Sequence, residues 1–156
     1  MEKKITSGEF LVLAEMEPPK GVDVSAMLAS ATKVRGRVDA FVIPEMSNAV
    51  MKMSSLGAAM LLQNKGLETV MQLCCRDRNR LALQADLLAA QALGVANIMA
   101  VTGEDPTYGD HHRARAVYDI DLIELLEAIQ TLQSGRAVSY THLTLPTRCH
   151  RCSSRW

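Results

Sequence analysis

Four short apolar runs, each followed by a helical pattern, constrain the fold of this 156-residue chain more than any other feature. Strands are predicted at residues 10–14, 38–43, 70–74 and 96–101, where β-favouring apolar residues cluster. Helices are predicted at residues 24–34, 49–64, 80–93 and 119–132, where apolar residues recur at spacings of three and four. Repeated strand–helix units imply parallel strands joined by right-handed crossovers. The sequence therefore predicts an α/β fold.

Polar residues mark where the predicted helices begin. Asp23 is the expected N-cap of the first helix, Ser47 or Asn48 that of the second, and Asp77 that of the third. The fourth helix is expected to bury its apolar positions, which are Ile120, Ile123, Leu126 and Ile129.

Composition excludes several classes of partner. The 17 basic and 17 acidic side chains cancel, so neither nucleic acid nor an anionic membrane is an expected partner. No signal peptide and no apolar window of about 18 residues is present, so a cytoplasmic protein with a small-molecule ligand is predicted. Cys74 and Cys75 are adjacent, so they alternate sides of a strand and are expected to pack as small apolar groups.

Polar residues also follow each predicted strand. They are Glu15 and Glu17; Glu45, Ser47 and Asn48; Gln72, Arg76, Asp77, Arg78 and Asn79; and Thr102, Glu104 and Asp105. If the strands are parallel, these residues converge on one rim, where such folds bind ligands. Arg76 and Arg78 suit bidentate binding of a phosphate or carboxylate, and a surface turn with local ion pairs is the competing interpretation. The rim is the predicted functional site.

The last part of the chain differs from the rest. Residues 136–156 show neither helical spacing nor strand alternation, and the run at residues 138–147 resembles a translated sequencing adapter. We expect this tail to be artefactual or disordered, and residues 1–135 to form the domain. Cys149 and Cys152 have the spacing of half a zinc site without a second half, and His111 and His112 lack a third ligand, so no metal site is predicted.

Taken together, the turns resemble the methylenetetrahydrofolate reductase family. The matching segments, in the family's order, are EMEPP at residues 15–19, VDA at 38–40, CRDRN at 75–79, LGVANI at 93–98 and VTGEDP at 101–106. The resemblance covers roughly residues 9–135. It implies a (β/α)8 TIM barrel, of which this chain supplies about four units, so the expected fold is a truncated barrel with two unpaired edges.

The resemblance also implies an activity. Family members usually carry FAD, accept hydride from NAD(P)H and reduce 5,10-methylenetetrahydrofolate to 5-methyltetrahydrofolate; FMN remains an alternative. Two other interpretations stay open: a non-catalytic folate- or flavin-binding fragment, and a pterin-dependent methyltransferase barrel. A homo-oligomer or an association with a partner subunit is expected, because the truncated barrel leaves its edges unpaired. Catalysis by this truncated chain is expected to be impaired.

By position, Glu15 matches the family's catalytic acid. Opening the imidazolidine ring of the substrate requires a proton on the departing nitrogen. A carboxylic acid supplies that proton near neutral pH only if burial raises its pKa from about 4.3 to roughly 6–7. Glu17 is expected either to help raise that pKa and contact the substrate, or to point outward.

The resemblance places cofactor contacts on the third and fourth strands. Gln72 occupies the position of a flavin-contacting histidine in other members. Glu104 aligns with an acidic residue that approaches both flavin and folate, and Thr102 and Gly103 precede it in the same turn. Arg76 is the candidate for a cofactor phosphate.

Overall fold

A computed structural model of the chain describes residues 1–135, which form a four-stranded parallel sheet in the order β1-β2-β3-β4. The strands are β1 (Leu13–Glu15), β2 (Ala40–Ile43), β3 (Thr69–Cys74) and β4 (Asn97–Val101). The helices are α1 (Glu2–Ser7), α2 (Ser25–Val34), α3 (Ser55–Gln63), α4 (Arg80–Ala92) and α5 (Leu122–Gln133), with 3-10 turns at Ser47–Ala49 and Pro106–Tyr108. The predicted α/β class with parallel strands is confirmed, and the arrangement is consistent with part of a (β/α) barrel. The tail at residues 136–156, with Cys149 and Cys152, lies outside the described residues.

One face of the sheet carries the main core. Alternate strand residues such as Phe41, Ile43, Met71 and Leu73 are buried against the helices. Cys75 is in the same cluster, which confirms that it packs as an apolar group, whereas the buried Cys74 donates its thiol to the carbonyl oxygen of Thr102 (3.4 Å). None of the helices in residues 1–135 has the length and apolar character needed to cross a membrane.

The other face, called here the inner face, is less covered. Ala40, Val42 and Val70 form a small buried cluster there, against which Met1 packs. Because side chains alternate along a strand, the residues in register with Val42 and Val70 share this face. Those residues are Glu15 on β1 and Asn97 on β4. The inner face therefore extends across all four strands.

β1 is shorter and later than the sequence predicted. The prediction began at Phe10, but Phe10 is 86% exposed and pairing starts only at Leu13. Residues 10–12 are apolar but precede the paired residues, and of these Val12 accepts a hydrogen bond from the backbone N–H of Asp39 (2.8 Å). Composition that favours β-structure does not specify the register. As a result, Glu15 is the last residue of the strand and not the first residue of the loop.

Two helix caps differ from the predictions. The N-cap of α2 is Val24, and Asp23 accepts a hydrogen bond from the backbone N–H of Ser25 (2.9 Å), outside the N-cap position. The N-cap of α4 is Asn79, not Asp77. Asp77 is unavailable for capping because its carboxylate is engaged by a neighbouring arginine, described below.

The second helix begins later than predicted. Helical composition from residue 49 suggested a cap at Ser47 or Asn48, but the chain forms a 3-10 turn there, and α3 begins after the N-cap Ser54. Asn48 and Ala49 have positive φ angles of 56° and 55°, which no α-helix accommodates. Residues 46–53 therefore form a loop at the carboxyl end of β2.

The apolar positions around α5 were predicted only in part: Ile120 is buried and Ile129 packs against the core as predicted, but two others are not buried. Ile123 is 61% and Leu126 is 48% exposed, whereas the buried residues of the helix are Leu125, Ala128 and Leu132. A repeated spacing of three drifts around a helix with 3.6 residues per turn, while alternating spacings of three and four stay on one face. The helix begins at the N-cap Asp121, which forms a capping box with Glu124.

Candidate functional site

The parallel register places the carboxyl ends of all four strands at one edge, as the sequence predicted. Glu15 is in register with Val42, which is in register with Val70, and Gln72 follows Val70 by two residues on the same face. With strands about 4.8 Å apart and about 3.3 Å of rise per residue, the Cα atoms of Glu15 and Gln72 are separated by roughly 12 Å. The predicted acid and the predicted flavin contact therefore share the inner face.

Glu15 is exposed in this arrangement. The predicted role as an acid needs a side chain shielded from water, and residues 1–135 leave the Glu15 side chain open to solvent. Glu17, two residues on, forms an ion pair with Lys52 of the loop after β2. The Glu17 carboxylate thus links the loop after β1 to the loop after β2.

Gln72 lies on the inner face and is half-buried. Its Oε1 accepts a hydrogen bond from the backbone N–H of Glu45 (3.4 Å), and its Nε2 lies 3.8 Å from the Sδ of Met99. A thioether sulfur is a weak acceptor. Since this weak contact is the one recorded for Nε2 within residues 1–135, the amide retains the capacity to donate to an oxygen or nitrogen of a ligand.

A cluster of ion pairs around the buried Glu45 carboxylate lies behind Gln72. Glu45 binds Nη1 of Arg78 (3.0 Å), and Nε of Arg78 binds Asp86 on α4 (2.9 Å). Burial lowers the pKa of Arg78, but the two carboxylates outweigh it, so the net pKa is raised. Burial raises the pKa of Asp86, which Arg78 opposes. Arg78 was a candidate for phosphate binding, but its guanidinium is occupied by these internal partners.

Arg76 is also held internally. It is 1% exposed, and its Nε and Nη2 donate to the two carboxylate oxygens of Asp77 (2.8 and 2.7 Å). Nη2 also donates to the carbonyl oxygen of Met46 (3.3 Å), and Nη1 donates to that of Glu104 (3.2 Å). The hydrogen bond with Asp77 is the main reason that the pKa of Arg76 is raised. The side chain joins the loops after β2 and β4 to β3, and its role as a cofactor ligand stays a prediction.

The turn after β4 presents its polar groups at the rim. Thr102 and Glu104 are exposed, and the Glu104 carboxylate is 3.7 Å from Nη1 of Arg76. Gly103 has a φ of +88°, and a Cβ there would lie 2.3 Å from the Sγ of Cys74. Tyr118 donates a hydrogen bond to the Gly103 carbonyl (3.1 Å). Internal packing thus already explains the glycine, without a ligand.

The loops after β1, β2 and β4 meet at Asp110 at the same edge, a contact that the sequence did not predict. Asp110 accepts hydrogen bonds from Lys20 (2.8 Å) and from the backbone N–H of Met51 (3.0 Å), and its carboxylate also pairs with His111 (2.9 Å). These partners, Lys20 first, hold the pKa of Asp110 well below its usual range. The only sequence signal was the length of the polar loop at residues 107–117. No cluster of metal-ligating side chains occurs within residues 1–135.

Comparison with known proteins supports the resemblance seen in the turns. The family model described as methylenetetrahydrofolate reductase matches residues 1–147. Comparison with curated proteins gives no match. Because the family match spans most of the chain and the sheet has the parallel strand–helix order that the resemblance implied, the chain belongs to the methylenetetrahydrofolate reductase family.

Proposed function

We propose that this chain provides part of the site of a flavin-dependent reductase that converts 5,10-methylenetetrahydrofolate to 5-methyltetrahydrofolate with NAD(P)H. Membership of the family supports a folate-related reductase. The observation that carries the finer proposal is the shared inner face of Glu15 and Gln72 at the carboxyl edge of the sheet. An acid and an amide donor on one face are the groups needed to protonate a substrate and to orient a flat heterocycle.

Glu15 is the proposed proton donor to the departing ring nitrogen. Glu15 is the last residue of β1, so the strand fixes its main chain. Its side chain is exposed and can reach a ligand. A carboxyl in water has a pKa too low for this task near neutral pH. Such an acid acts near neutral pH only when it is shielded from water, so we expect Glu15 to become competent when a bound ligand covers it.

The residues near the rim fit a flavin. The Gln72 amide and the Thr102 hydroxyl are polar groups suited to the carbonyl oxygens and ring nitrogens of an isoalloxazine. When bound, a flavin supplies hydride transfer between nicotinamide and substrate. FAD is the proposed form, because family members usually carry it, and NAD(P)H is the proposed reductant.

Two acidic residues are proposed to contact the folate. Glu104 is exposed at the end of β4, and its main chain is held by Arg76. Glu17 is exposed at the end of β1 and is paired with Lys52. We also propose that the substrate is a small molecule and that the protein is cytoplasmic. The chain is proposed to form a homo-oligomer or to associate with a partner subunit.

The test separates the two half-reactions. After a flavin titration of the purified chain, Glu15→Gln is compared with Glu9→Gln, which changes an exposed glutamate outside the strand ends. We expect Glu15→Gln to preserve flavin reduction by NADH, and to slow folate reduction by about two orders of magnitude because the proton donor is lost. Glu9→Gln is expected to change neither rate.

The rates of the two half-reactions, together with ligand binding, also distinguish the proposal from the alternative roles of Glu15 and of the chain. Loss of both rates in Glu15→Gln would assign Glu15 to cofactor binding or folding, and loss of neither would remove it from the chemistry. Flavin and folate binding with no reduction in the unmodified chain would support a non-catalytic binding fragment. Folate binding without any flavin binding would favour the pterin-dependent methyltransferase interpretation.

A further inference from the structure

We infer that Glu45 is a positioning residue that fixes the amide of Gln72 with its N–H groups facing the inner face. The inference rests on the proposed function, because it assigns the direction in which Gln72 meets a ligand. Glu45 itself is buried and lies behind Gln72, so it does not touch the ligand. Its role is to hold the main chain that holds the amide.

The Glu45 carboxylate is unusually well fixed for a residue in a loop. Its side chain is 1% exposed. One oxygen binds Nη1 of Arg78 (3.0 Å), and the other accepts hydrogen bonds from the backbone N–H of Ser55 (2.9 Å) and from the Ser55 hydroxyl. Ser55 is the first residue of α3, where unpaired N–H groups and the helix dipole favour a carboxylate.

The main chain at Glu45, which this carboxylate anchors, contacts the Gln72 amide. The backbone N–H of Glu45 can only donate, so the Gln72 atom that it contacts at 3.4 Å must be the acceptor Oε1. Nε2 is then directed the other way, beside Met99 on the inner face. The Ser55 hydroxyl also lies 2.7 Å from the Gln72 carbonyl oxygen, so the same cluster contacts the main chain of Gln72.

Stability alone gives little reason to keep this cluster. A buried ion pair commonly contributes no more stability than apolar residues of similar volume, because desolvation offsets the Coulombic attraction. A buried polar network does, however, specify one geometry when its members are satisfied. Here the geometry specified is a donor presented to the ligand side, which matches an acceptor such as a flavin carbonyl oxygen or ring nitrogen.

The experiment compares Glu45→Gln with Asp39→Asn in the full chain. Asp39 is a suitable control because it too pairs with a basic side chain, that of Lys4, and accepts from a backbone N–H, but it precedes β2 at the opposite edge of the sheet. The measurements are the side-chain amide resonances of Gln72, assigned with Gln72→Met, and hydrogen exchange of the backbone amide at position 45. Flavin affinity and the absorption spectrum of the bound flavin are measured on the same proteins.

We expect Glu45→Gln to move the Gln72 side-chain resonances and to speed exchange at position 45 by about tenfold or more, because the anchoring contacts are weakened. Flavin affinity should fall about three- to tenfold, the equivalent of one hydrogen bond, with a shifted flavin spectrum. Asp39→Asn should leave all four readouts unchanged. Unmoved Gln72 resonances in Glu45→Gln would overturn the inference.

Two outcomes need a second criterion: a Glu45→Gln variant that does not fold, and an unmodified chain that binds no flavin. If Glu45→Gln does not fold, Ser55→Ala replaces it, since it removes only the hydroxyl between Glu45 and Gln72, and unmoved Gln72 resonances would again overturn the inference. If the unmodified chain binds no flavin, the proposed function fails, whereas the Gln72 resonances and the exchange rate still decide the orientation of the amide. The two failures are therefore distinguishable.

Discussion

Replacing Arg76 by methionine should destabilise this fold far more than the same replacement at Arg80. Both arginines bind an aspartate and a main-chain carbonyl oxygen, so their bonding is similar. They differ in burial, because the side chain of Arg76 is 2% exposed and that of Arg80 is 48% exposed. The comparison therefore isolates the effect of burial on an arginine–aspartate pair.

The expected magnitude follows from what Arg76→Met leaves behind. The variant removes two hydrogen bonds to Asp77 and one each to the carbonyl oxygens of Met46 and Glu104. The Asp77 carboxylate is 27% exposed, so it is only partly rehydrated. Removing one partner of a buried pair typically costs about 3–5 kcal/mol, a large part of the 5–15 kcal/mol that stabilises a typical domain.

Urea unfolding followed by far-UV circular dichroism measures the difference. Arg76→Met should lower the midpoint strongly with little change in slope, because about the same surface is exposed on unfolding. Arg80→Met should keep the midpoint within replicate error, because an exposed ion pair contributes little. Equal shifts in the two variants would refute the claim that burial makes the Arg76 contacts important.

Two further predictions concern local geometry. Gly103→Ala should destabilise the fold by at least about 1–2 kcal/mol, because alanine at a φ of +88° is strained and its Cβ overlaps Cys74. Adding Cys74→Ala should recover part of that loss in a double-mutant cycle, and no recovery would argue against the overlap. Asn79→Ala should cost about 1 kcal/mol in thermal or urea unfolding through loss of the α4 cap, whereas Asn79→Asp, which retains a capping oxygen, should be nearly neutral.

Prediction from sequence worked best where the signal was local. The apolar runs at β2, β3 and β4 located the strands to within about two residues, because burial on a parallel sheet requires continuous apolar segments. It worked less well at loop ends. The loop at residues 46–53 has helical composition, but its positive φ angles delay α3 until Ser55.

The site shows the same division. The sequence predicted that polar residues would gather at one edge, and the register places Glu15 and Gln72 on one face there. It did not predict which charged residues would pair internally. Arg78 was a candidate for phosphate binding, but it pairs with Glu45, which precedes it by 33 residues.

The sequence by itself determined the class of fold and the edge where ligands are expected. Both follow from the order and periodicity of apolar segments, which neighbouring residues encode directly. Only the tertiary structure decided that Arg76 and Arg78 bind internal partners, that Glu15 is exposed and that Glu45 supports Gln72. The pair of Arg76 with its neighbour Asp77 is local, but the contacts of Arg76 with Met46 and Glu104, and those of Glu45 with Arg78 and Gln72, each join residues about 30 positions apart. No local pattern in the sequence records such long-range contacts.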